Sequence, residues 1–503
     1  MRRALPIPLF VALVGISAVA MLVPAVHAAA IGDWRTGRVF VYSAALVLML
    51  TSLLAVATWG HRSARPLRGH LLTLFAAFFV LPVFLAFPVH ELMPWLAYRD
   101  AWFEMVSSVT TTGATLLDVP AEVPPSIHLW RALVGWLGGF LIWVAAVAIL
   151  APANLGGYEV LMISGTPGGR RQPSMPGEGE ADRLLRHARE LLPVYAAITA
   201  VLWFAQVIVG ETSFVAFCHA LSTVSTSGIS PVGGLENGAA GQLAPLAIVV
   251  GLVFALSRVT FSRWTPPGGE SRALADPELR MGAAIVLVVT CLLFLRHWAG
   301  TIDDELRSGP VEAARALWGI FFTTLSFLTT AGFTISDWEG AQVWSGLHTP
   351  GLVLAGLALV GGGAGTTAGG VKLLRVYALL RHGERELERL VYPSLVAGGG
   401  PLQRQMRRGG AFNAWVFFML FIVSVAVLML ALSLFGIAFE PALVLTTAAL
   451  SNTGPVAAAA ATEPVAYSSL SDGVKFVLAA AMTLGRLETL ALVALFNPDL
   501  WRS

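Results

Sequence analysis

The chain contains 503 residues, of which 56% are hydrophobic and only 12% are charged, and its formal net charge is +2. Soluble proteins carry about 25% charged residues, so this composition places the chain in the membrane class. No basic footprint for nucleic acid appears. The two cysteines, Cys218 and Cys291, stand in apolar surroundings, which predicts buried thiols rather than a disulfide framework or a CxxC metal site.

Long apolar runs predict ten membrane-spanning helices, because about 20 apolar residues cross a bilayer core of about 30 Å. The runs lie near residues 4–27, 38–59, 69–90, 130–150, 191–210, 242–261, 280–298, 347–382, 411–435 and 473–496. The first run follows two arginines and ends in AVHAA, as a signal peptide does. Its apolar stretch is longer than the roughly 7–15 residues usual for a signal, so we expect a retained helix.

Four short segments between these runs, here called the polar hairpins, are variants of one another. The first to the fourth read SVTTTGAT, TVSTSGIS, FLTTAGFT and ALSNTGPV, at residues 108–115, 223–230, 327–334 and 449–456. Their small polar residues close on a glycine in every copy, at Gly113, Gly228, Gly332 and Gly454. Recurrence at similar intervals indicates a chain built from four internal repeats.

Shorter apolar runs precede the polar hairpins, near residues 98–110, 213–225, 312–329 and 439–451. They are too short to cross a bilayer and predict re-entrant half-helices, since irregular backbone at membrane depth must line a cavity. We therefore predict an all-α membrane protein with four pseudo-symmetric units of helix, half-helix, hairpin and helix around one pore. The expected division is 1–68 for two extra N-terminal helices, then 69–160, 161–275, 276–400 and 401–503 for the four pore repeats.

Charge is distributed unevenly across this topology. With the N-terminus inside, most of the 32 lysines and arginines fall in cytoplasmic segments, which supports ten spans, cytoplasmic termini and hairpins that enter from outside. A negative external vestibule would raise the local concentration of a cation, although polar loops also need some charge. The external acids are Asp100, Glu104, Asp118, Glu122, Glu211, Glu236, Asp303, Asp304, Glu305, Asp337, Glu339, Glu440 and Glu463.

The polar hairpins have the chemistry of a cation filter. Glycine permits the positive φ angles with which consecutive carbonyl groups face one axis. Uncharged carbonyl and hydroxyl oxygens bind an alkali cation weakly enough to release it, and the C-terminal ends of the half-helices would add partial negative charge. The alternative is four Ser/Thr-Gly helix breaks that serve only packing.

Two further features lie inside predicted spans. The segment GGGAGTTAGG at 361–370, here called the glycine loop, cannot form a stable helix alone. It is either a phosphate-binding loop, although the GxxxxGK[ST] pattern is missing, or a flexible loop within a membrane helix. Arg486 occupies the last span, where a charge costs about 3 kcal/mol or more unless it faces a cavity or a partner. It is either half of a structural ion pair or a positive barrier, and Glu488 is expected to point elsewhere.

Several segments resemble the TrkH and KtrB potassium-uptake subunits of the superfamily of K+ transporters. Besides the fourth polar hairpin, they are DAWFEMVSSVTTTGAT at 100–115, LWRALVGWLGGF at 129–140, FCHALSTVSTSGIS at 217–230, GGVKLLR at 369–375 and GRLE at 485–488. The resemblance covers essentially the whole chain. The two extra leading helices favour the TrkH branch.

The resemblance implies a K+ filter and an intramembrane gate. By position, the filter's ion-facing strip is Thr110, Thr111, Thr112, Gly113, Ser225, Thr226, Ser227, Gly228, Thr329, Thr330, Ala331, Gly332, Ser451, Asn452, Thr453 and Gly454. The gate is Gly361, Gly362, Gly363, Gly365, Gly369, Gly370, Lys372 and Arg486. In related plant transporters, serine at the first filter glycine goes with Na+ transport, so Gly113 favours K+. Asn452 departs from the hydroxyl pattern, which the family's fourth hairpin tolerates.

The resemblance further implies K+ uptake across the bacterial inner membrane, with K+ as the transported ion, no organic cofactor and no enzymatic activity on this chain. The family's subunits form homodimers on a ring of TrkA-type nucleotide-binding subunits, for which the basic segments 163–190 and 372–408 are candidate docking surfaces. The alternatives are a Na+-coupled or Na+-conducting carrier of the same fold and a non-transport intramembrane enzyme or receptor. Channel-like flow and H+ or Na+ symport both stay open.

Overall fold

The computed structural model of the chain describes residues 7–60, 66–150, 180–257, 276–301, 310–338, 351–392 and 411–487. Within these ranges the regular secondary structure is helical, with no β-strand. The all-α prediction is therefore confirmed. A helix satisfies its backbone hydrogen bonds internally, which is what a lipid surrounding requires.

Three helices lead the chain, namely Leu9–Ala20, Leu22–Ala30 and Trp34–Ala57. The third begins where the Asp33 carboxylate accepts the Thr36 N–H at 3.1 Å, an N-cap that satisfies one of the free amides at a helix start. Its Phe40 meets Trp130 of a later helix edge-on, with the ring centroids 6.0 Å apart. The leading helices thus pack onto the rest of the protein.

Each polar hairpin follows a half-helix, and the four half-helices begin and end within two residues of their predicted bounds. They are Tyr98–Val109, Ser213–Ser225, Pro310–Leu328 and Phe439–Leu450. Three carry an acid in the first turn, which is favourable beside the positive end of the helix dipole: Asp100, Glu312 and Glu440.

Longer helices stand before each half-helix and others follow each hairpin. Those before are Pro66–Phe79 with Leu81–Leu85 and Phe87–Leu92, then Glu180–Ile208, Pro277–Thr301 and Ala411–Leu434. Those after are Pro125–Ala145 with a π-helical turn at Ala146–Leu150, then Ala244–Phe254, Gly351–Val360 and Asp472–Leu487. Beyond the glycine loop the helix Leu373–Val391 follows, and short turns occur at Pro120–Glu122, Gly241–Leu243, Val456–Ala459 and Tyr467–Ser469.

Among the described residues, eight helices are long and apolar enough to cross a membrane. Seven coincide with predicted spans, and the eighth is the third half-helix, Pro310–Leu328, which at 19 residues is longer than a half-helix needs to be. The predicted spans 242–261, 347–382 and 473–496 hold shorter helices in the described part of the chain, and the glycine loop divides the second of them.

Burial distinguishes a central helix from peripheral ones. The helix Pro125–Ile149 is 72% buried, whereas Phe412–Leu434 is only 17% buried. The second helix is apolar on all its sides. A weakly buried helix that is apolar on all sides is suited to contact with lipid. Cys291 lies exposed on the similarly peripheral helix Pro277–Thr301, so the prediction of two buried thiols is right for Cys218 and wrong for Cys291.

Candidate functional site

Each half-helix ends in the same hydrogen-bonded turn. In the first, Thr111 has a left-handed φ of 56°, its N–H donates to the Ser108 carbonyl, and the Thr112 N–H donates to the Ser107 carbonyl. These two bonds make a Schellman motif, which usually places glycine at the left-handed position. The same pair of bonds recurs in the other three hairpins, around left-handed Thr226, Thr330 and Asn452. The left-handed conformation is rare for threonine and less so for asparagine, and its recurrence at the same position in all four hairpins makes them structural equivalents.

The first residue of each predicted strip uses its hydroxyl group to finish the half-helix. All four hydroxyls donate to the carbonyl four residues earlier at 2.7–2.9 Å, from Thr110, Ser225, Thr329 and Ser451. The hydroxyl protons therefore point at the half-helices. What these residues can offer an ion is their backbone carbonyl oxygen and the remaining lone pairs of the hydroxyl.

The hairpin glycines lie where one hairpin touches the next. At every one of them an added methyl group would be too close to atoms of a neighbouring hairpin. The neighbours in chain order are Ser227 for Gly113, Ala331 for Gly228, Pro455 for Gly332 and Ala114 for Gly454. The contacts run from the first hairpin to the second, third and fourth and back to the first. The four polar hairpins thus form a closed ring.

The fourth glycine differs from the others in its backbone. Gly113, Gly228 and Gly332 have φ between 65° and 74°, whereas Gly454 has no positive φ. The expectation that glycine supplies positive φ in every hairpin is therefore wrong for the fourth. There the glycine is required by space, because its neighbour in the first hairpin leaves no room for a side chain.

Hydrogen bonds close the ring between the fourth and first hairpins. The Gly454 N–H donates to the Thr112 carbonyl, and the Asn452 amide donates to the Thr112 hydroxyl at 3.0 Å. The same amide nitrogen donates to the Met482 carbonyl at 2.8 Å. The side chain of Asn452 therefore joins two hairpins to the last described helix.

A buried ion pair supports the first hairpin from behind. Arg131 contacts a Glu104 carboxylate oxygen at 2.6 Å, with side chains only 5% and 0% exposed. The other carboxylate oxygen accepts the Leu116 N–H at 2.9 Å, just after the hairpin. The prediction that Glu104 belongs to an external vestibule is wrong, because its side chain is enclosed by the protein. Its sequence signal was a charge among the apolar residues in the middle of the half-helix.

The second hairpin is supported by a neutral contact. His219 stands nine residues before its glycine, as Glu104 does in the first unit, and its Nε2 lies 2.9 Å from the Ser230 hydroxyl. Glu211 is also buried and accepts the Ala239 N–H at 3.0 Å, so this acid too was wrongly assigned to the vestibule. The supporting groups thus differ between units whose hairpins are alike.

The glycine loop separates two helices and is buried along its whole length. At its base the Val371 N–H donates to the Leu359 carbonyl at 2.9 Å. Midway along it the Ala364 N–H donates to the buried carboxylate of Glu278 at 2.8 Å. Such bonds replace the helical ones that the loop lacks, as buried backbone requires. The prediction of an irregular segment within a membrane helix agrees with this geometry, and no phosphate-loop pattern is present in the sequence.

The loop lies against the C-terminal ends of three half-helices. The Thr367 hydroxyl donates to the Val224 carbonyl at 3.0 Å, and the Gly369 N–H donates to the Thr330 hydroxyl at 2.7 Å. Gly369 also packs against the Ser451 carbonyl so closely that no side chain would fit. The glycine loop therefore lies across the inner end of the hairpin ring.

Arg486 meets the loop from the last helix. Its side chain is buried and donates through Nη1 to the Thr367 carbonyl at 2.7 Å. Arg486, Gly365 and Lys372 line a cavity of about 20 Å³, which has room for about one water molecule. The Lys372 ammonium donates to the Ala368 carbonyl. Two cationic side chains thus bind carbonyls of the loop itself, while Glu488 lies outside the described residues.

Two acids, Glu236 and Asp337, follow the second and third polar hairpins. The Glu236 carboxylate, after the second hairpin, accepts the Ser336 N–H at 2.7 Å just beyond the third. Partial burial raises the pKa of Asp337 above its ordinary value, and the nearby Glu236 charge raises it further. The two carboxyl groups thus lie near each other beside the second and third polar hairpins.

The chemistry of the site is that of neutral oxygen atoms. In the described ranges, no three His, Cys, Asp or Glu side chains are grouped to hold a metal ion. Carbonyl and hydroxyl oxygens around an axis suit a dehydrated alkali cation. Parts of both candidate docking segments, residues 163–179 of the first and 393–408 of the second, lie outside the described residues.

Known proteins are similar to this chain in sequence and in fold. Residues 37–233 and 279–502 match the TrkH family, described as cation transport proteins. The chain is 32% identical over 426 residues to the Trk system potassium uptake proteins TrkH of Escherichia coli K12 and Salmonella typhimurium, covering 81% of this chain and 80% of theirs. Its structure superposes on the crystal structure of the potassium transporter TrkH from Vibrio parahaemolyticus with a TM-score of 0.81, at 27% identity and full coverage of both chains.

Proposed function

Because this chain belongs to the TrkH family of cation transport proteins, we propose that it is the pore-forming membrane subunit of a Trk-type potassium-uptake system. The observation that carries the proposal is the closed ring of four equivalent hairpins, each contacting the next. Relatives named as potassium uptake proteins, with which it shares about a third of its residues, support K+ as the ion.

K+ is selected at the ring, which is the filter in this proposal. The ion exchanges water for carbonyl oxygens of the four strips that end at Gly113, Gly228, Gly332 and Gly454. The supports behind the first two hairpins hold these oxygens at fixed distances, so a smaller ion is coordinated less well. The four repeats follow the division at residues 69, 161, 276 and 401 given above.

The glycine loop and Arg486 form the gate of the proposed pore. The loop lies across the inner end of the ring, and Arg486 adds a positive charge where a cation would leave. Both barriers are removed only when the loop moves, since Arg486 is bonded to it.

The assembly is a homodimer with one pore in each chain, placed in the bacterial inner membrane with both termini in the cytoplasm. A ring of TrkA-type nucleotide-binding subunits docks on the basic segments 163–190 and 372–408. The chain itself performs no enzymatic reaction and carries no organic cofactor. K+ moves down its electrochemical gradient or together with H+ or Na+.

Growth of a bacterium lacking its own potassium-uptake systems tests this function. Expression of the chain with its regulatory partner should restore growth at low external K+. Addition of Na+ to cells without the chain should not restore growth. Restored growth that depends on Na+ would favour the Na+-coupled carrier. A chain that reaches the membrane without restoring growth would contradict the proposal.

A further inference from the structure

We propose that Thr330 and Asn452 mechanically couple the filter to the gate, so that displacement of the gate loosens the third and fourth polar hairpins. This inference rests on the function proposed above and concerns how its two parts communicate. The four left-handed residues, Thr111, Thr226, Thr330 and Asn452, occupy one equivalent position in the ring. Their side chains, however, have different partners.

Among the described residues, two of the four side chains bond to the glycine loop or to the helix that carries Arg486. Thr226 donates to the carbonyl of its own neighbour Ser225 at 2.7 Å, and the buried Thr111 hydroxyl has no hydrogen-bond partner among the described residues. Thr330 instead accepts the Gly369 N–H of the glycine loop, and Asn452 donates to the Met482 carbonyl. The symmetry of the ring is thus broken where it meets the moving parts.

The Thr330 contact ties the loop to the filter backbone. Its 2.7 Å bond from the Gly369 N–H is fully buried, where no water replaces a lost partner. The Thr330 and Ala331 N–H groups make the Schellman bonds of the third hairpin. When the glycine loop moves away from the ring, this bond must break. Thr330, which fixes the conformation of the third hairpin, then loses its contact with the loop.

The Asn452 contact joins the filter to the helix Asp472–Leu487, which carries Arg486 and is here called the gate helix. Met482 lies four residues, about one helical turn, before Arg486 on the helix Asp472–Leu487. The Asn452 amide bonds both the Met482 carbonyl and the Thr112 hydroxyl, so a shift of this helix pulls on the fourth and first hairpins together. A serine, with a single O–H to donate, cannot make both bonds.

A double-mutant test with the reconstituted full-length chain separates coupling from simple damage. T330V should raise basal K+ flux about three- to tenfold, the effect of one buried hydrogen bond that favours the closed state. In a variant lacking residues 365–369 the loop partner is gone, so T330V should add nothing. T330S keeps an acceptor and should show a smaller increase than T330V. Equal increases with and without the loop would overturn the coupling.

Asn452 gives an independent arm. N452S should raise basal flux and lower the K+ over Na+ flux ratio together, because both the gate helix and the ring closure lose a bond. N237S removes an exposed amide far from these contacts and should change neither. A change in the flux ratio alone, with basal flux as in the wild type, would contradict a link to the gate.

The wild-type chain supplies a measurement that needs no variant. If filter and loop are coupled, K+ in the filter protects the Gly369 amide from hydrogen exchange more than Na+ does. Equal protection in the two ions overturns the coupling. A wild-type chain that carries no K+ flux overturns the proposed function and this inference together, whereas a conducting chain with uncoupled variants overturns only the inference.

Discussion

At the scale of single residues, the ring depends on four glycines, each lying where two hairpins meet, and on a buried ion pair beside the first hairpin. Four glycines in four similar strings were visible in the sequence, and the structure uses each where two hairpins meet. The Glu104–Arg131 pair could not be predicted, because its members lie 27 residues apart in separate helices and only the fold brings them to 2.6 Å. Such a pair depends on tertiary packing, which local patterns do not encode.

Replacing Gly113 with serine should weaken ion selectivity. The new side chain meets the Ser227 carbonyl and strains a backbone with φ of +73°, so the oxygens of two hairpins must shift. We expect the K+ over Na+ flux ratio to fall about tenfold or more. G436S is a matched control, since Gly436 also has a positive φ but no atoms within 4 Å of an added carbon. A ratio unchanged in G113S would argue against the filter assignment.

Asp337 should give K+ uptake a dependence on external pH. Burial and the neighbouring Glu236 raise its pKa, so this carboxylate is neutralised at a higher pH than an ordinary aspartate as the solution is acidified. Loss of its charge lowers the local K+ concentration outside the filter. Uptake at low external K+ should therefore decline on acidification earlier in the wild type than in D337N. Superimposable pH profiles would exclude the carboxylate from this role.

At the scale of elements, strong periodic and compositional signals were sufficient to predict the half-helices and the interrupted helix. The half-helices and the interrupted third pore unit were predicted within a few residues, because short apolar runs and a six-glycine segment are local properties of the chain. The sequence did not predict that Pro310–Leu328 is long enough to span a membrane. Hydropathy does not distinguish a buried helix from a lipid-facing one. The contacts of the glycine loop with Thr330 and Glu278 depend on residues distant in sequence and could not be predicted.

Removing the gate should increase basal flux. R486A deletes the charge and its bond to the Thr367 carbonyl, and deletion of residues 365–369 removes the obstruction itself. Basal K+ flux in proteoliposomes should rise about tenfold in each variant, the effect of losing a buried charged hydrogen bond. R381A removes an exposed arginine of the following helix and serves as the control. Flux that falls or stays level in both folded gate variants would refute this gate.

At the scale of the whole molecule, four hairpins from one chain complete one ring, so the proposed homodimer would contain two separate pores. The fold class and the family were predictable because the repeated hairpins recur through the full length of the sequence. The partner surfaces were not, since charge alone does not distinguish docking from topology. The basic segments are therefore best examined by measuring their binding to the nucleotide-binding ring.

Neutralising Arg404, Arg407 and Arg408 should weaken recruitment of the nucleotide-binding ring. Exposed charge pairs are screened over about 8 Å at physiological ionic strength, so wild-type binding should also weaken as salt rises. Neutralising Arg35, Arg38 and Arg99, on the opposite side of the predicted topology, is the matched control. Pull-down of the ring that survives the first change at every salt concentration would exclude 372–408 as the main contact.

Cation flux into proteoliposomes that contain only this purified chain tests the central claim, that a ring of four hairpins conducts K+. The wild type should carry K+ at least about tenfold faster than Na+. G454V should abolish this preference, because it forces the fourth hairpin from the first, while G356A, with no atoms within 4 Å of its added carbon, should preserve it. Equal K+ and Na+ flux in the wild type, or a preference that survives in G454V, would contradict the account.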